Sequence, residues 1–159
     1  MDNVLQWLES SWIGVTTRDL FWVFPTLEIL HFMGLCVLFG SMLVIDLRIL
    51  GILRSVSMRS VFSFIPVALG AFAVNLLSGI GFVCADPFRY APNIAFRWKM
   101  ILILVSGLNA LWFWLSEHRK LADLPDGVAA NLTAKFIAGL SLTLWASIIV
   151  LGRFMPYVE

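Results

Sequence analysis

The stretch "TLEILHFMGLCVLFGSMLVIDL", residues 26–47, decides the fold. It is almost wholly apolar and as long as the roughly 20 residues an α-helix needs to cross a bilayer. Two polar residues interrupt its start, Glu28 and His31, one helical turn apart. An ionisable group in such a helix is expensive, so each needs a physical reason.

Three further stretches match it. The expected spans are residues 22–45, 61–84, 97–116 and 135–153, with Asp46 and Arg48 read as the end of the first. The last two are short, so flanking charges must snorkel to the interface. The whole chain agrees. Of 159 residues 60% are hydrophobic and 13% charged, with mean hydropathy +0.92. Soluble domains are about half apolar and a quarter charged. The expected class is all-α, an integral membrane four-helix bundle forming one domain over residues 1–159, with the lipid bilayer as its first partner. A formal charge of +1 gives no basis for nucleic-acid binding.

The opening "MDNVLQWLES" lacks the basic and apolar regions of a signal peptide. Val4, Leu5, Leu8 and Trp12 recur at helical spacing, which predicts a short interfacial helix over about residues 3–14. Trp7, Trp12, Trp22, Trp98, Trp112 and Trp114 flank the spans as interfacial belts. Cys36 and Cys84 fall at different depths and are read as packing residues, not a disulfide.

The basic residues set orientation weakly. With both termini periplasmic, the cytoplasmic loops hold Arg48, Arg54, Arg59, Arg119, Lys120 and Lys135, and the other side holds Arg18, Arg89, Arg97, Lys99 and Arg153. Arg97 and Lys99 sit at the membrane edge, which favours this orientation.

Depth along the helices gathers Glu28, His31, Asn75 and Lys99 toward one end of the bundle, with Asn109 deeper. On a helical wheel Leu27, Glu28, His31, Leu35, Leu38 and Met42 share a face, so the polar pair is expected to point at protein and Glu28 to pair with His31 or Lys99. Three readings of His31 stand side by side. It is an axial ligand for haem b, with Arg97 and Lys99 meeting the propionates and Asn75 nearby. Alternatively, His31 and Glu28 hold copper or iron. In the third reading the histidine only fixes packing, in a partner subunit of a larger complex. The methionines Met33, Met42 and Met100 form no copper motif and are read as packing. His118 lies roughly half a bilayer away from His31 and is read as a solvated cation favoured by a helix C-terminus. A bundle this small leaves a cofactor partly open, which predicts a homo-oligomer, a dimer or trimer. A site near the outer face would serve a periplasmic redox partner.

The segments "FPTLEILHFMGLCVLFGSMLVIDLRILG" (24–51), "KMILILVSGLNALWF" (99–113) and "LSLTLWASIIVLGRF" (140–154) resemble an uncharacterised family of small four-helix bacterial inner-membrane proteins. There is looser likeness to copper-resistance membrane proteins and four-helix b-type cytochromes. The resemblance implies a bacterial inner-membrane metalloprotein. Members of that family carry a histidine soon after the G-L-N-A stretch, where this chain has Trp114 and reaches His118 only later.

Overall fold

The computed structural model describes residues 2–125 and 127–158, and Met1, Asp126 and Glu159 lie outside it. Every regular element among the described residues is helical, and all but a closing 3-10 turn, Met155–Tyr157, are α-helices. In chain order they are α1 (Asp2–Glu9), α2 (Trp12–Asp19), α3 (Val23–Leu50), α4 (Met58–Phe62), α5 (Ile65–Ala85), α6 (Pro87–Tyr90), α7 (Ile94–Ser116), α8 (His118–Ala122) and α9 (Leu132–Phe154). Four stretches, Val23–Leu50, Met58–Ala85, Ile94–Ser116 and Leu132–Tyr157, are long and apolar enough to cross a membrane. The protein is a multi-pass membrane bundle.

The first span outruns its expected end. Asp46 and Arg48 stay inside α3, which stops only at Gly51, φ +94°. The Gly51 N–H donates to the carbonyls of Leu47 and Arg48 at 3.2 and 3.1 Å. This left-handed C-terminal cap suits glycine, which has no Cβ to clash. At 1.5 Å per residue α3 is about 42 Å long, more than the roughly 30 Å of hydrocarbon. Its last turns are covered by other chain. Ile45 and Ile49 pack with Met58, Val61, Leu121 and Ala134, from α4, α8 and α9. Charge therefore does not end this helix, because tertiary cover buries Asp46 and Arg48 in its last turns.

The N-terminal interfacial helix is two helices. Ser11 breaks it: its Oγ accepts from the Gly14 N–H at 3.1 Å and donates to the Leu8 carbonyl at 2.6 Å, capping α2. α2 lies against the end of α5. There Arg18 donates to the Ala85 carbonyl at 3.2 Å, satisfying part of α5's C-terminus, and faces Glu9 at 3.5 Å.

The spans do not close into a ring. α3 packs on α5 and on α9, and α9 packs on α7. α5 and α7 follow each other in the chain but scarcely meet, so the row reads α5–α3–α9–α7. Both cysteines are free; Cys84 is buried as a packing residue would be, whereas Cys36 is exposed on the outer face of α3.

The connection from α7 to α9 is held by Glu117. Its carboxylate, buried at the end of α7, accepts from Lys120 at 2.9 Å and from the Asn131 amide at 2.6 Å. Asn131 in turn accepts from the Ala134 N–H at 2.7 Å and caps α9. The hydrogen bond from Lys120, with help from Asn131, holds the Glu117 carboxyl below its usual value of 4.5, against the opposing effect of burial.

Two outcomes follow from this packing. A Cβ on Gly14 would stand 2.5 Å from the Cys84 carbonyl oxygen, a backbone atom that cannot swing aside. Gly14→Ala is expected to cost about 1–3 kcal/mol and to free α2 from α5. Thermal unfolding in detergent and protease cleavage near residues 10–20 will report it. Glu117 has a depressed folded pKa, so its contribution is present above pH about 4.5 and is lost as pH falls through the folded value. Acid unfolding curves of the wild type and Glu117→Gln should therefore converge at low pH and separate at neutral pH, with the wild type more stable.

Candidate functional site

His31 lies half-buried on α3 where that helix meets α5. Small residues let the two helices close. A Cβ on Gly34 would come 2.6 Å from the Asn75 Nδ2, and one on Gly81 would come 2.7 Å from a Leu27 methyl. In the space so made, the His31 Nδ1 sits 2.8 Å from the Ser78 Oγ. The Ser78 hydroxyl has a single proton, and its own helix offers two acceptors for it, the carbonyls of Val74 at 2.7 Å and Asn75 at 3.1 Å. With that proton committed, the oxygen accepts from the ring. The Asn75 carbonyl also faces the imidazole. Nδ1 therefore carries the hydrogen, and the neutral ring presents a bare Nε2 lone pair. Phe82 abuts the ring edge-on at 5.5 Å, and Gly79 borders Cε1, leaving that side low and open.

The other residues expected here are only partly brought together. Asn75 is adjacent, but its amide turns back to the Ala71 carbonyl at 3.1 Å. Glu28 does not join the site. It is exposed, and among the described residues the ion pairs are Arg18–Glu9 and Lys120–Glu117. The buried stripe of α3 runs through Gly34, Leu38, Ser41, Ile45 and Ile49, which leaves Glu28 beside it, near Tyr90. A group at this height reaches the headgroup region and needs no buried partner. Outside the spans, burial raises the Tyr90 phenol pKa, with Arg89 opposing and Asp86 and Glu28 adding to the rise. Lys99 is half-buried beside Gly152 of α9, with Nζ 3.7 Å from where a Cβ would stand, and close enough for its charge to act on His31. Arg97 is exposed and ties the α6–α7 turn through the Ala91 carbonyl at 2.9 Å. His118 is half-buried and lies just past the end of α7. It opens α8 and stacks on Trp114 at 4.1 Å and Phe62 at 5.1 Å, an aromatic clamp on the far end of the bundle.

Buried polarity does not stop at the His31 end. Asp46 (4% exposed), Asn109 (7%), Ser106 and Ser141 meet toward the other end, where the gap between α5 and α7 forms a groove of about 450 Å³. Asn109 donates to the Ile137 carbonyl of α9 at 3.1 Å, but its Oδ1 has no partner. Ser141 reaches the Asp46 carboxyl, while Asp46 Oδ2 has none. Arg48, two residues on, turns away. It donates from Nε to the Val56 carbonyl at 2.5 Å, pinning the α3–α4 loop, with both Nη atoms buried and unpartnered. Reading Asp46 and Arg48 as a span end hid this second cluster. The signal was the D-L-R-I-L-G sequence itself, whose glycine, not its aspartate, stops the helix.

Comparison with protein-family models, curated proteins and solved structures finds no match to this chain.

Proposed function

We propose that the protein binds haem b through His31 and has a redox role in the bacterial inner membrane. The observation that carries this reading is the seating of the imidazole: Nδ1 lies 2.8 Å from the Ser78 Oγ, whose own proton the Val74 carbonyl can take, which supports an Nδ1–H ring with Nε2 free, as ligating histidines are held by a hydrogen bond at the other nitrogen. Haem needs only one or two protein ligands, because the porphyrin supplies the rest. Copper or non-haem iron needs several clustered side chains. Among the described residues no three His, Cys, Asp or Glu converge, so the copper or iron alternative has less support. Lys99 supplies a cation near the ring for a propionate, and Arg97 lies at the same end of the bundle with its Nε engaged.

The half-buried ring and the exposed apolar residues beside it, Phe32, Leu76, Leu77 and Ile80, favour a homo-oligomer in which a second copy covers the cofactor. With both termini periplasmic, the His31 end opens outward, toward a periplasmic electron carrier.

The spectrum decides. Protein purified after expression with ample haem should show a reduced b-type band. His31→Ala should abolish it and His118→Ala should leave it in place. Ser78→Ala should weaken haem retention by about tenfold, within the range for an orienting hydrogen bond. Colourless wild-type protein refutes the reading.

Orientation has its own check. With Cys36 and Cys84 replaced by alanine, a single cysteine at exposed Pro92 should react in intact cells with a membrane-impermeant maleimide, and one at exposed Ser55 should not. Asn93 is unsuited to this, because its amide holds the C-terminal turn through the carbonyls of Met155 and Val158.

A further inference from the structure

The groove between α5 and α7 makes no use of His31, and its chemistry is different. Most of its wall is hydrocarbon and aromatic ring, including Phe72, Phe113, Trp114 and Trp145. Its volume, about 450 Å³, far exceeds the roughly 30 Å³ of a water or a bare ion and falls in the range of small-molecule sites. Two polar atoms without partners lie just beneath this wall, Asp46 Oδ2 and Asn109 Oδ1, each on a residue that lines it. Both belong to side chains more than nine-tenths buried, and both are acceptors.

A buried acceptor left unmade is costly, and a buried carboxylate without a counter-charge costs more. Arg48 does not neutralise Asp46, since its guanidinium leaves toward Val56. An occupant that brings donors, a positive charge and an apolar body answers all of this. We propose that the groove binds a hydrophobic ammonium, an apolar molecule carrying a protonated primary or secondary amine. Its N–H groups donate to Asp46 and Asn109, and its body lies against the aromatic wall, where ring faces also attract a cation. A neutral alcohol supplies one donor and no charge. A bare metal cation would leave the apolar volume empty.

The groove is open to entry from the bilayer, because α5 and α7 do not pack on each other. Gly107 lines it with no atom within 4 Å of where a Cβ would stand, so a larger side chain there fills the groove without forcing the helices apart.

The test is calorimetric titration of the full chain in zwitterionic nanodiscs with phenethylammonium, against phenethyl alcohol as its neutral counterpart and empty nanodiscs as blank. The ammonium should bind saturably and the alcohol should not. Asp46→Asn should weaken binding about tenfold or more, the scale of one charge-assisted hydrogen bond. Should that variant misfold, Gly107→Leu must still abolish binding with Asp46 intact. Equal binding of alcohol and ammonium overturns the proposal, as does ammonium binding unchanged in Gly107→Leu. Displacement of the ammonium by millimolar sodium without loss in Gly107→Leu would assign the acceptors to a metal cation and also overturn it.

Discussion

Lipid offers no hydrogen bonds, so every polar group on a spanning helix must find a partner inside the protein or lie at the surface of the membrane. α3 carries this constraint for the whole bundle. It is the one helix that packs on both α5 and α9, and its buried stripe alternates small and branched residues from Gly34 to Ile49. The two ends of the stripe meet the constraint differently. At the first, close approach of α5 brings Ser78 to His31. At the second, α4, α8 and the loop after Gly51 fold over the helix and bury Arg48 entirely. α7 joins the other spans mainly through α9, with Asn109 bonded to the Ile137 carbonyl as a buried polar tie between them.

The order α5–α3–α9–α7 has a consequence for function. A closed four-helix ring would have filled the space beside Asp46 with side chains. The open row leaves it as a groove, and leaves the His31 side facing outward as well. The protein thus holds two chemically distinct places. One is an oriented imidazole between two helices, near the end where α3 begins. The other is a pair of unsatisfied acceptors just beneath an apolar wall, nearer the end where α3 stops. The proposed occupants differ accordingly, a flat metal-bearing cofactor at the first and a cationic amphiphile at the second.

Much of this was legible in the sequence, for a physical reason. Hydropathy over about 20 residues reports transfer to lipid directly, so the four spans and the all-α class could be read at sight. Helix ends are set by local capping and tertiary cover, and there composition misled. Asp46 and Arg48 looked like a boundary because charge usually is one, but α4 and α8 bury them. Ser11 broke the expected interfacial helix by a capping pattern visible in "ESSWIG", two serines ahead of a glycine. His31 was legible as a buried imidazole, but Ser78 was not identified as its partner. Serines in helices usually bond their own backbone, and Ser78 does that too. Glu28 looked like the natural partner at one-turn spacing, yet the stripe that packs on α5 passes beside it. His118 was read by its charge, whereas its neighbours Trp114 and Phe62 use it as a ring.

The proposed haem ligation rests on the state of one side chain. Nitrogen-15 NMR of histidine-labelled protein in lipid, with His118 replaced by glutamine so that His31 alone is seen, reads that state directly. A neutral imidazole with Nδ1 protonated and Nε2 bare is the expected spectrum for the haem-free protein. The opposite tautomer, with hydrogen on Nε2, would contradict the Ser78-imposed orientation and with it the assignment of His31 as an axial ligand.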